Sequence, residues 1–184
     1  MAASDAALWP RTDAAHTLGC ALACDAADLE QHFRIRRHVF VDAQGLFLED
    51  DRDSRDDDPA TLHAVGLVGD RVAGAVRLYR LAQPGLWKGD RLAVLPDSRA
   101  HQLGALLVRF AVATAGDRGG ERMVAQVQLP NVRFFERLGW RHDGDAVIAY
   151  GVPHQPMAIT TTPDRSAARR PDPRPWRAAY PRPG

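Results

Sequence analysis

The sequence predicts a mixed, mostly antiparallel α/β sheet with helices on both faces. Three observations predict it. Apolar runs of strand length alternate with stretches of helical periodicity, in the order strand, helix, three strands, helix, strand, helix, then two strands. Turn signals at Gly69-Asp70 and Pro84-Gly85 link the three middle strands as hairpins. The segment after them places a helix between two strands, which makes those two strands parallel.

Residues 1–15 are rich in Ala and Asp and read as a loosely held extension, and His16–Cys24 reads as the first strand. Asp25 has the short acceptor side chain that caps a helix, here one running to about Val39 with Leu29, Phe33 and Arg36-Arg37 along it. Glu49–Asp58 is dense in Asp and Arg and reads as a solvated loop, the alternative being a lure for a cationic amine. Leu62–Val68 and Val72–Arg80 form the hairpin around Gly69-Asp70, and Leu86–Leu95 is the third strand of that group. Leu103, Leu106, Leu107, Phe110, Ala111 and Thr114 share one helical face, ended by Gly116 and Gly119-Gly120. Met123–Gln128 is a short apolar strand, and Pro130 suits the first turn of a helix through Phe134 and Leu138 to Gly139. Trp140–Val152, turning at Asp143-Gly144, and Pro156–Thr162 give the last strands of a folded region spanning 16–162. From 163 to 184 the chain is rich in Pro and Arg, cannot build a core, and reads as a disordered tail.

Bulk composition narrows the function. The 184 residues suffice for one domain with a real core, and 45% apolar with 26% charged residues is the balance of a soluble globular protein. A formal net charge of +1 argues against nucleic acid or a membrane surface as partner. Cys20 and Cys24 are too few for a disulfide framework, and no Cys/His cluster has zinc spacing, so no metal is expected. The chain shows no signal-peptide pattern and no apolar stretch of bilayer length, so a cytoplasmic location is expected.

The segment Arg91–Val108 carries the chemistry. It reads as the end of a strand (Leu92-Ala93-Val94), a tight turn and a helix start at Leu103. A helix start presents unpaired backbone N–H groups and a positive dipole end, which suits a phosphate or pyrophosphate.

Over residues 17–160 the element order and these motifs resemble the GNAT superfamily of N-acetyltransferases. Arg99-Ala100-His101-Gln102-Leu103-Gly104 is similar to that family's Gln/Arg-x-x-Gly-x-Gly/Ala motif, with Gln102 in place of the first glycine. Gln128-Leu129-Pro130-Asn131, leading to Phe134-Phe135 and Leu138-Gly139-Trp140, resembles its later motif. Arg36–Phe47 resembles one branch, the acetyltransferases linked to bacterial nitrogen-starvation gene clusters. The resemblance implies a central splay between two parallel strands and acetyl-CoA as co-substrate. Its pantetheine arm would pair with Leu92, Ala93 and Val94. Its pyrophosphate would lie on backbone N–H groups of Ala100, His101, Gln102, Leu103, Gly104 and Ala105, with Arg99 adding positive potential. Asn131 and Phe135 would lie beside the cofactor arm.

Acetyl transfer to an amine needs a group that takes a proton. Asp90 stands where relatives carry a carboxylate near the site, or else pairs with Arg91 or Lys88 at the surface. His63 and His154 are the other titratable candidates, either at the cleft or as structural histidines. Gln126 and Gln128 occupy the strand where many relatives have a glutamate, and would orient substrate by hydrogen bonds. Phe135 stands where many relatives have a tyrosine acid. The expected function is acetyl-CoA-dependent acetylation of a small amine by a monomer or homodimer. The alternative is an acyl-CoA-binding regulatory or partner-docking module with little or no turnover.

Overall fold

The computed structural model describes residues 17–161. The expected N-terminal extension, His16, Thr162 and the tail from 163 onward lie outside the described residues.

Strands β1 (Leu18–Leu22), β2 (Leu62–Val68), β3 (Arg71–Arg80) and β4 (Leu86–Val94) lie side by side, each antiparallel to the next. Gly69, at φ +57°, makes the two-residue turn between β2 and β3. A crossover through helix α2 (Leu103–Asp117) sets β5 (Arg122–Gln128) parallel to β4. β8 (Val152–Thr160) pairs antiparallel with β5, and the short β6 (Arg141–His142) and β7 (Val147–Ala149) pair with the outer edge of β8. The result is the expected mixed sheet with one parallel pair, built of eight strands where the sequence suggests seven.

Helix α1 (Ala26–Arg37) begins as expected, with the Asp25 carboxylate accepting the Asp28 N–H at 3.0 Å. It ends two residues before Val39. The chain continues as a wider π-helical turn, His38–Ala43, in which Gln44 N–H donates to Val39 O. The looser turn lets consecutive residues Val39 and Phe40 both bury against the sheet. The buried face of α1 is polar: Asp28, His32 and Arg36, with Ile35 the sole apolar residue among them.

α1 and α2 cover opposite faces. Ile35, Val39 and Phe40 meet Ala75 of β3 and Ala93 of β4 on one side. Leu103, Leu107, Val108 and Ala111 meet Ala73, Val76, Leu78 and Trp87 on the other. Glycines set how close α2 comes: a Cβ on Gly74 would lie 2.7 Å from Leu107 Cδ1, and one on Gly66 3.0 Å from Leu103 Cδ1. These two strand glycines form the groove that seats the first turn of α2.

The C-terminal strands differ from expectation. In place of Trp140–Val152 and Pro156–Thr162 there are two short strands and one long one, with Pro156 inside β8. Pro156 is tolerated because it falls between the stretches covered by β6 and β7. There its carbonyl points outward to accept the Asp143 N–H at 2.9 Å, and no ladder bond needs its missing donor. α3 (Val132–Arg137) follows a 3-10 turn, Leu129–Asn131, that holds Pro130.

Candidate active site

β4 and β5 pair only at Leu86↔Arg122, Trp87↔Met123 and Lys88↔Val124. Beyond Lys88 the two strands part. The cause lies on the other edge of β4: Asp90 faces Arg77 and Ala93 faces Ala75, so β4 takes three steps where β3 takes two. The extra residue is a bulge at Arg91, held at φ +52°. It turns β4 away from β5 and leaves residues 89–94 without a strand on that side. A cleft fills the gap, walled by β4 and β5 and by Phe40, Gln44 and Phe47 on the α1 side. Backbone donors and acceptors on the open edge of β4 are suited to an extended chain carrying amides.

The turn after β4 leads to the start of α2. Gln102 takes the left-handed conformation at φ +61°. The chain thus keeps a glycine-like backbone with a glutamine, at a cost of about 1–2 kcal/mol. The first intrahelical bond joins Leu106 N–H to Gln102 O at 3.2 Å, and no side chain caps the helix. The N–H groups of Leu103, Gly104 and Ala105 therefore precede the helical ladder. Ala100 and His101 lie in the 3-10 turn before it, and the exposed Arg99 folds back to donate to Val94 O. A Cβ on Gly104 would lie 3.6 Å from Phe134 and 3.7 Å from Val94, in ordinary van der Waals contact. On the facing wall, Asn131 borders the cleft, and the Phe135 ring stands edge-on to Trp140 at 5.3 Å.

Asp90 is placed otherwise than expected. It borders the cleft, but its partner is Arg77, not Arg91 or Lys88. Arg77 Nε and Nη2 donate to its two oxygens, each at 2.8 Å, and Tyr79 OH approaches at 3.3 Å. Arg77 belongs to a larger buried network. It also holds Asp53 at 2.6 and 2.9 Å and Asp56 at 3.0 Å. Arg36 grips Asp56 at 2.6 Å and Asp51 at 2.8 Å, and Arg91 reaches Asp51 and Asp53 at 3.2 Å.

Glu49–Asp58 is therefore not simply a solvated loop. Asp51 and Asp56 turn inward against arginines from α1, β3 and β4, and without them Arg36 would be buried unpaired. Burial alone would raise the Asp56 carboxyl, but hydrogen bonds and charge from Arg36 outweigh it and hold it far below the carboxylate range. Asp51 goes the other way: burial raises it against the pull of Arg36 and Arg91. With Asp90 so committed, its carboxylate serves to anchor the bulge.

A model of the acetyltransferase (GNAT) family matches residues 27–140. The chain belongs to the GNAT acetyltransferase family. It is 26% identical over 137 residues to YjcF of Bacillus subtilis, an uncharacterized N-acetyltransferase, across 74% of this chain and 95% of that protein. A candidate N-acetyltransferase from Lactobacillus plantarum superposes with a TM-score of 0.71 at 22% identity, over 78% of this chain and 98% of the other. BjaI, a CoA-dependent acyl-homoserine lactone synthase solved with SAM and isopentyl-CoA, superposes with a TM-score of 0.61 at 23% identity, over 72% and 75% of the two chains. At these identities the two solved structures share the GNAT fold with this chain.

Within this GNAT fold the two candidate histidines part company. His154 lies in the cleft, opposite Gln128 in the β5–β8 ladder. Its Nδ1 is 3.0 Å from Val152 O, so Nδ1 carries a proton and donates it there. His63 is not brought to the cleft. It sits beside His32 under α1, its Nδ1 donating to His32 Nε2 at 3.3 Å while His32 Nδ1 donates to Ala64 O. Burial, the Arg36 charge and His63 together push His32 down to about 3, so it stays neutral. Burial also lowers His63, with Arg36 and Arg77 opposing Asp56. Gln126 and Gln128 both border the cleft, and Gln128 donates to Gln44 at 3.3 Å.

Two cleft residues were given no role by the sequence reading, Arg91 and Tyr150, and Trp140 entered it only as part of a motif. Arg91 sits between the rings of Phe47 and Tyr150, 5.0 Å from each centroid, and donates to Tyr150 OH at 3.1 Å. Tyr150 is itself at φ +53°. The three non-glycine residues with positive φ are Arg91, Gln102 and Tyr150 among those described, and all flank the cleft or the helix start. Tyr150-Gly151, between two apolar runs, was the available turn signal. Cys24, Asp25 and Asp28 offer ligand atoms within 4.8 Å of one another, but the Asp25 and Asp28 carboxylates accept backbone N–H groups at the start of α1.

Proposed function

We propose that this GNAT protein transfers an acyl group from coenzyme A directly to a small amine. The observation that carries this is the abrupt end of β4–β5 pairing at Lys88 and Val124, beside a helix start whose N–H groups precede its ladder. Both features suit the same ligand: an extended arm with amides, ending in a pyrophosphate. Acetyl-CoA, when bound, supplies an electrophilic thioester and a good leaving thiolate.

The residues divide the work as follows. The edges of Leu92, Ala93 and Val94 hold the arm, and Leu103, Gly104 and Ala105 hold the pyrophosphate through backbone N–H groups, with Arg99 alongside. His154 Nε2 takes the proton that the amine nitrogen loses as its bond to the acyl carbon forms and the carbon–sulfur bond breaks. Gln126 and Gln128 orient the amine. Asp90 positions the bulge through Arg77.

The test has two stages. Calorimetric titration with acetyl-CoA and CoA measures binding, and thiol release with a panel of amines, amino acids and polyamines measures transfer. Absence of binding overturns the reading. With a turned-over amine in hand, His154→Gln is expected to lower kcat at least a hundredfold with acetyl-CoA affinity retained. A change under threefold removes His154 as the base. A second reading, an acyl-CoA-binding module without turnover, is favoured by Phe135, which offers no hydroxyl acid. Tight binding with no turnover across the panel supports that reading.

A further inference from the structure

We infer that the acceptor is an amine that also carries a carboxylate, an amino acid in the broad sense, and that Lys88 and Gln126 hold that carboxylate. This rests on the acyltransferase reading above. Of the 24 lysine and arginine residues in the chain, Lys88 is the one lysine. It stands in β4 at the last step paired with β5, opposite Val124, and borders the cleft. Side chains alternate along a strand. Trp87 packs against α2, so Lys88 lies on the α1 face together with Asp90, which pairs there with Arg77. Val124 and Gln126 of β5 share that face, and so does His154 through its pairing with Gln128.

The other charges around the cleft are matched. Arg77 neutralises Asp90 at 2.8 Å, and Arg91 meets Asp51 and Asp53 at 3.2 Å. Lys88 forms no ion pair, and the Gln126 side chain no hydrogen bond, among the described residues. The cleft thus borders one unmatched ammonium and no unmatched carboxylate. A second cationic group on the acceptor, as in a polyamine, finds no partner there, whereas an anionic group does. The residue type fits a ligand that comes and goes. Arg36, Arg77 and Arg91 are fixed by paired contacts in a buried network, while a lysine carries a point charge on a flexible stem. Strand spacing and rise put the Lys88 and Gln126 Cα atoms about 8 Å apart. Across that gap an ammonium and an amide N–H meet the two oxygens of one carboxylate. His154 lies one same-face step beyond Gln126, opposite Gln128, where the amine of the same molecule loses its proton.

Thiol release with acetyl-CoA tests this on pairs that differ only in the carboxyl group: glycine against methylamine, leucine against isopentylamine, phenylalanine against phenethylamine, with spermidine alongside. A charge-assisted contact is worth roughly tenfold or more. The best amino acid is expected to exceed its partner at least tenfold in kcat/KM, and to exceed spermidine. A smaller ratio, or a preference for spermidine, overturns the inference but leaves the acyltransferase reading intact. Failure of CoA and acetyl-CoA alike to bind overturns both. If CoA binds but no thiol is released, calorimetric titration of the CoA-saturated protein with N-acetyl-leucine and N-acetyl-phenylalanine, each against its amide, decides. At least tenfold tighter binding of the acids is expected, and equal or absent binding overturns the inference. Lys88→Met keeps the stem and drops the charge, and is expected to bring the amino-acid-to-amine ratio below threefold through KM. Lys88→Arg keeps the charge and is expected to hold the ratio above threefold. An unchanged ratio in a Lys88→Met protein that still melts cooperatively overturns the inference, and if that variant does not fold the wild-type pairs decide alone.

Discussion

Asp90→Asn separates two roles for a residue that the sequence marks as a base and the structure ties to an arginine. The substitution keeps the shape and removes the charge. Arg77 Nε and Nη2 each meet one Asp90 oxygen at 2.8 Å. Asparagine offers one oxygen, so one charge-assisted bond is lost, worth about 1.5–3 kcal/mol. Arg77 keeps Asp53 and Asp56, so it is not left as the uncompensated buried charge whose creation costs about 3–5 kcal/mol. The Asp90 side chain is 15% exposed, and water replaces part of the loss. The expected destabilisation is therefore about 2 kcal/mol, or roughly 4–8 °C in Tm for a domain of this size. Turnover with an amine found by the thiol-release panel is expected to fall less than tenfold, since the proton goes elsewhere. Removal of a true general base costs about 10²–10⁴ in rate. Thermal unfolding and kcat on the same sample decide it. A rate loss above a hundredfold with unchanged Tm refutes the positioning role and makes Asp90 the base.

Two further outcomes test other parts of the structure. Gly104→Asp places a carboxylate in the first turn of α2, where it helps the helix by about 0.3–1 kcal/mol and repels a pyrophosphate. The free protein is expected to melt no lower than wild type while CoA affinity falls at least tenfold; unchanged affinity removes the helix start from the binding site. His32 has a folded-state value of about 3 against an ordinary 6.5. Between those values the unfolded chain holds a proton that the folded chain lacks. Its contribution is therefore complete above pH 6.5 and is lost as pH falls, at about 1.4 kcal/mol per pH unit. Urea unfolding from pH 7 to pH 5 is expected to show this slope, and His32→Gln to flatten it; equal slopes in both proteins refute the assignment.

The fold was legible because its signals are local. Gly69-Asp70 marks the hairpin, Asp25 caps α1, and the apolar stripe through Leu103, Leu107 and Ala111 marks α2. Gln102 departs from the family's glycine, yet the backbone keeps the left-handed turn. The last strands were misread because Pro156 suggests a boundary, and only the gap between β6 and β7 explains how a strand runs through it. The open edge of β4 and the helix start after it were legible, because a motif locates both.

The charged half of the site was not. Arg36, Asp51, Asp53, Asp56, Arg77, Asp90 and Arg91 come from four segments, and sequence pattern says nothing of which aspartate meets which arginine. By itself the sequence determined the order of elements as far as α3 and the place of the turn that opens α2, because hydrophobic period and turn chemistry act over a few residues. Only the tertiary structure decided that Asp90 is held by Arg77 and that His154 and not His63 reaches the cleft. Those facts depend on long-range burial, where a charge must find its counter-charge or stay in water.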